Sequence, residues 1–144
     1  MVEDISLYSL CLLFANSFLA ATILPFGSEA TFIGLLSLGL NPWLCLWTAS
    51  VGNTLGGMTN YFIGRLGKIE WAHKYLHISS DTLTRYQHKL RHQSAWIAFF
   101  CFMPIIGDLL ALALGFIRAN LLITVSAMFL GKFVRYLALS LPFI

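Results

Sequence analysis

The chain has 144 residues, 58% of them apolar and only 10% charged, with a mean hydropathy of +0.79. A soluble domain carries about 25% charged residues, so this composition argues against an ordinary water-soluble enzyme and for one small integral membrane domain covering 1–144. The formal charge of +3 comes from one basic stretch, which describes a loop and not a nucleic-acid surface.

In chain order, Met1-Val2-Glu3-Asp4 is acidic where a cleavable leader needs a basic start, so the first apolar stretch is expected to be retained. Apolar residues 5–24 and 29–40 flank Pro25-Phe26-Gly27-Ser28-Glu29. Residues 5–24 are long enough to cross alone, but 29–40 fall short of the ~20 residues a spanning helix needs. The preferred reading is a broken hairpin with two limbs. Residues 43–63 then form a full span. Gly52, Gly56 and Gly57, with Asn53 and Asn60, make a small-residue stripe that favours close backbone approach. Asn53 and Asn60 share a face directed into the bundle. The stripe is also a candidate surface for a second copy of the chain.

Six of the nine basic residues (Arg65, Lys68, Lys74, Arg85, Lys89, Arg91) and all four histidines fall between Gly64 and Ser94. Only Glu70 and Asp81 oppose them, so residues 64–94 are expected to be a cytoplasmic loop. Its interleaved Trp71, Tyr75 and Tyr86 suit a pair of interfacial helices facing anionic lipid. His73 and His77, like His88 and His92, stand four apart, a spacing that can bind zinc on a helix. No acid or cysteine sits at coordination spacing, and no metal or cofactor is assigned. Cys11, Cys45 and Cys101 match no metal or redox motif and read as packing.

Residues 95–117 are broken at their middle by Pro104-Ile105-Ile106-Gly107-Asp108. A proline there removes a helical hydrogen bond, and irregular backbone at membrane depth survives only where protein or a water-filled cavity covers it. A second re-entrant hairpin is expected, followed by a full span at 121–143. Pro25 and Glu29 align with Pro104 and Asp108. Gly56-Gly57-Met58-Thr59-Asn60-Tyr61 aligns with Gly131-Lys132-Phe133-Val134-Arg135-Tyr136. The fold class that follows is an all-α integral membrane protein, an inverted repeat of two re-entrant helical hairpins, each followed by a transmembrane helix. Residues 5–63 form one unit and 95–144 the other, with hairpin tips meeting near the midplane.

A carboxylate at a membrane helix centre costs roughly 2.5–3.5 kcal/mol, so Glu29 and Asp108 lead the candidates, for proton coupling or cation binding. Each could instead cap the half-helix that starts beside it. Lys132 and Arg135 lie three apart on one helix face, placed to hold a phosphate head group or to pair with the acids; snorkelling to the outer interface is the alternative. Arg65 and Arg118, at helix ends near the cytoplasm, are further head-group candidates that positive-inside anchoring would also explain. No nucleophile–base pair, metalloprotease motif or cofactor loop supports an enzyme.

These segments resemble a known family. Pro25-Phe26-Gly27-Ser28-Glu29 resembles the Pro-x-Pro-Gly-Glu element of the DedA (VTT-domain, SNARE-associated Golgi) membrane proteins. Gly52-x3-Gly56-x4-Tyr61-x2-Gly64-Arg65-x-Gly67 is similar to that family's next helix, and Phe102-Met103-Pro104 followed by Gly115 to its second hairpin. The compact form is most similar to the YqaA-like branch. The resemblance implies a re-entrant-hairpin transporter in an inner membrane that moves polyprenyl phosphates or phospholipids between leaflets with proton coupling. A proton-coupled exporter of small cations or drugs, and a non-transporting scaffold, are the alternatives; a homo-oligomer is a further expectation. The chain departs from the family pattern at four places. Cys101 and Gly107 stand where arginines flank the second-hairpin proline, Asn16 lies near a missing acid, and Gly57 replaces an aspartate.

Overall fold

The computed structural model describes residues 2–22, 27–67, 80–103 and 106–144. Pro25 and Pro104, and the stretch holding His73 and His77, lie outside the described residues. The described chain is helical throughout. In order come α1 (Val2–Ala20), α2 (Ser28–Ser37), α3 (Pro42–Leu66), α4 (Ser80–His92), α5 (Ser94–Phe99), α6 (Ile106–Phe116) and α7 (Leu121–Ser140). A 3-10 turn, Phe100–Phe102, prolongs α5, and another, Leu141–Phe143, ends α7.

Local chemistry sets the helix ends. Asn41 caps α3, its side chain accepting from the Trp43 amide at 2.9 Å, with Pro42 in the first turn. Asn120 caps α7 in the same way, accepting from the amides of Leu122 and Ile123. A free side-chain oxygen there satisfies amides that the first helical turn leaves unpaired. Both short helices, α2 and α6, also end alike. Leu40 N–H bonds Leu35 O and Gly39 N–H bonds Leu36 O; Ala119 N–H bonds Leu114 O and Arg118 N–H bonds Gly115 O. This is the Schellman arrangement, whose turning residue takes a left-handed conformation. Gly39 has φ 86° and Arg118 has φ 54°, the one positive φ outside glycine among the described residues. Gly39 and Arg118 stand 79 positions apart (118 − 39), as do Glu29 and Asp108 (108 − 29).

Contacts between backbones define the helix directions. Along α3, Gly52 meets the carbonyl of Phe14 and Gly56 that of Phe18, while Asn60 Nδ2 donates to Ala21 O at 2.7 Å. Helices α1 and α3 therefore run side by side in one direction. Along α7, Gly131 meets the carbonyl of Phe99, and Arg135 Nη1 donates to Phe102 O at 2.7 Å. So α5 and α7 also run together. Arg65 lies beside the start of α7, and Gly57 lies against Met128 and Lys132, so α3 and α7 run oppositely. Helix α6 crosses α3 where Gly64 meets Leu112 and Gly115 meets Tyr61, so closely that a side chain at either glycine would strike backbone.

The glycine stripe is thereby used up inside the chain. Gly52 and Gly56 are filled by α1, and Gly57 by Met128 and Lys132. That corrects its expected role as a surface for a second copy: no face of it is open to one.

Polar groups share the buried interior with apolar ones, while much of the surface is apolar. Ser17, Ser50, Asn53, Asn60, Thr124 and Lys132 are buried, whereas Leu7, Leu12, Trp47, Leu109 and Leu122 are more than half exposed. An exposed apolar surface this extensive is not that of a monomer in water; a bilayer covers it. Among the described residues one helical stretch, Leu121–Phe143, is both long and apolar enough to cross a membrane. Helix α3 has the length, 25 residues. It misses on apolarity, because its buried stripe is glycine, asparagine and threonine.

Candidate functional site

Four sequence candidates converge around α7. Glu29 sits in the first turn of α2 and Asp108 in the first turn of α6. Lys132 and Arg135 project from successive turns of α7. The Arg135 guanidinium spans the site. Its Nη2 lies 2.6 Å from Glu29 Oε1, and its Nη1 donates to Phe102 O, the last residue of the turn that prolongs α5. One side chain thus joins the start of α2 to the end of the opposing limb. The Arg135 side chain is 15% exposed and that of Glu29 is 47% exposed, so the pair is half-open. Arg135 Nε is buried without a partner among the described residues. The guanidinium also lies 5.3 Å from the centre of the Tyr136 ring.

Lys132 is 2% exposed and donates from Nζ to the backbone carbonyl of Asn53 at 2.6 Å. It reaches that carbonyl through the notch at Gly57, where a Cβ would come within 3.0 Å of Nζ. Asp108, half-buried, interacts electrostatically with both Lys132 and Arg135. Two cations and two acids therefore share one half-buried, charge-balanced locus. Snorkelling is ruled out for both cations by these partners: α7 turns them inward. Capping is not what Glu29 does either. Helix α2 begins at Gly27 without a side-chain cap, and the Glu29 carboxylate goes to Arg135.

Neighbours that the sequence reading passed over complete the shell. Tyr136 OH donates to Ser28 Oγ at 2.9 Å, and its ring packs on Phe32. Asn16 Nδ2 bonds Gly27 O and, by a short contact, Thr31 Oγ1. Asn16 thus ties α1 to the start of α2. The signal for Tyr136 was available, because it aligns with Tyr61. Asn53 and Asn60 point inward as expected, bonding Ser17 O and Ala21 O through their amides.

Arg65 and Arg118 are not part of this site. Fifteen residues of α7 separate Asn120 from Arg135, about 22 Å at 1.5 Å per residue. At that other end Arg65 Nη1 donates to Tyr61 OH at 3.1 Å, and Tyr61 OH bonds Ala119 O. Gln87 and Arg91 of α4 both donate to Ile117 O, docking the basic helix on the same turn. His88 and His92 lie on α4 with ring centres 4.8 Å apart.

Comparison with known proteins gives the family. Residues 24–143 match the VTT domain. The chain belongs to the DedA (VTT-domain) family of membrane proteins. It is 36% identical to the inner membrane protein YqaA of Escherichia coli over 141 residues, 97% of this chain and 92% of YqaA. It is also 36% identical to an uncharacterised protein of Haemophilus influenzae, over 94% of this chain and 90% of that one. No solved structure matches. Cys101 and Gly107, two of the departures from the family pattern, lie together: Gly107 packs on the Cys101 carbonyl. Lys132 and Arg135 bring positive charge near Phe102 and Asp108 from α7.

Proposed function

We propose that this DedA protein translocates a lipid phosphate, a polyprenyl phosphate or a phospholipid, between the leaflets of the inner membrane. In this reading the two hairpins are re-entrant and inverted, and residues 64–94 face the cytoplasm. The matched contacts of Gly56 and Asn60 with α1, and of Gly131 and Arg135 with α5, support the inverted pairing. The observation that carries the function is the convergence of Lys132, Arg135, Glu29 and Asp108 on one half-buried locus beside α7.

The chemistry proceeds by exchange of partners. A phosphate is a better bidentate acceptor for a guanidinium than most groups available in a protein interior. A phosphate reaching Arg135 displaces Glu29, and one reaching Lys132 competes with the Asn53 carbonyl and with Asp108. A carboxylate released in a low-dielectric site is stabilised by taking up a proton. Substrate arrival and proton uptake are thereby coupled at Glu29 and Asp108. The fixed cations disfavour the alternative of a small-cation exporter, because Arg135 already occupies Glu29.

Purified protein in liposomes containing labelled polyprenyl phosphate tests the reading. Flipping faster than in protein-free vesicles under an imposed pH gradient is the expected result, with Glu29→Gln and Asp108→Asn abolishing the effect of the gradient. No flipping above the protein-free rate would leave a scaffold as the reading.

A further inference from the structure

A second lipid-shaped feature lies outside the central site, on the flank of the bundle. At the cytoplasmic end of the proposed orientation an open groove of about 610 Å³ is lined by Arg65, Arg118, Asn120 and Met58. It continues into an apolar trench of about 500 Å³ between α3 and α7, lined by Val51, Leu55, Ser126 and Phe129. Met58 and Val125 line both, so the two are one surface. From Val51 to Arg65 the trench follows α3 for about 21 Å at 1.5 Å per residue, more than half of a bilayer core ~30 Å thick.

Arg118 supplies a second, independent observation. It occupies the left-handed position that Gly39 fills in the first half of the chain. An L-residue is strained in that conformation, and glycine is not. Strain kept at such a position is a reason to look for function. Here the strained residue and Arg65 both line the mouth of an apolar trench.

We propose that this surface holds one anionic lipid, with its phosphate between Arg65 and Arg118 and its chain along the α3–α7 trench. A free phosphate would use the mouth and leave the trench uncovered, so a lipid is the occupant the combined surface fits. The site stands apart from Lys132 and Arg135 and does not depend on transport.

The test uses the full-length protein in uncharged detergent and a lysophosphatidic acid bearing a diazirine in its chain, with labelled peptides mapped after illumination. Labelling is expected on residues 51–58 and 122–130. It should fall at least fivefold in Arg118→Gly, a change the backbone there accepts without strain, and further in Arg118→Gly combined with Arg65→Gln. A monoacylglycerol with the same diazirine chain should label at most a fifth as well, and millimolar inorganic phosphate should not compete. Arg135→Gln should leave this labelling unchanged, so a failure of flipping and a failure of this site are read separately. Equal labelling by the uncharged lipid, indifference to both arginine changes, or displacement by phosphate alone would overturn the proposal.

Discussion

The two halves of this chain make the same contacts with different side chains. In α3, Gly56 packs on the carbonyl of Phe18 and Asn60 bonds the carbonyl of Ala21. In α7, Gly131 packs on the carbonyl of Phe99 and Arg135 bonds the carbonyl of Phe102. The scaffold is shared; the charge is not. Where the first half has Gly57 and Asn60, the second has Lys132 and Arg135. Gly57 even opens the notch that Lys132 enters. Function is thus expected where equivalent positions differ, and packing where they agree.

The comparison breaks most visibly at a shared position. Gly131→Leu places a side chain against the Phe99 backbone, and two helices must part to admit it. Overpacking of this kind costs about 3 kcal/mol. Little folded protein should survive thermal unfolding in detergent, while Gly34→Ala, with open space around it, should unfold like the parent. A folded Gly131→Leu protein would mean that the carbonyl contact is not essential.

Positions that differ should behave otherwise. Lys132→Met keeps the stem and removes a buried charge, and the half-buried Asp108 it leaves can take up a proton, so the loss should stay within about 1 kcal/mol. Arg135→Asn writes the residue of the first half into the second. It leaves Glu29 unpaired, yet that carboxylate is half exposed, so the loss should stay near 1 kcal/mol. Thermal unfolding of the two variants checks both values, and a collapse of either would make the cations structural.

The smallest effect concerns a position where the second half carries strain. Arg118→Gly restores the residue type that the first half uses at Gly39 and should raise stability by about 1 kcal/mol, less the added freedom of the unfolded chain. Denaturant unfolding measures it, and a loss of more than that amount would show that Arg118 holds the turn.

Much of this was legible in the residues. The interrupted helix in 95–117, the small-residue stripe and the cation pair on α7 are periodic or compositional signals, and periodicity survives folding. What escaped is carried by backbone. The Asn53 carbonyl that receives Lys132 and the Phe102 carbonyl that receives Arg135 have no sequence signature. The equivalence of Gly39 and Arg118 was hidden, since Leu38-Gly39-Leu40-Asn41 and Ile117-Arg118-Ala119-Asn120 share only the capping asparagine. Arg65 and Arg118 looked like partners of Lys132 because all are cationic, and the length of α7 alone separates them.

The central claim is that the charges added to the second half do the transport. Its most direct test is flipping of labelled polyprenyl phosphate in liposomes by the parent and by the double variant Lys132→Met, Arg135→Asn. The double variant is predicted to insert, to unfold within a few degrees of the parent, and to flip no faster than protein-free vesicles. A double variant that flips at the parent rate would contradict the account.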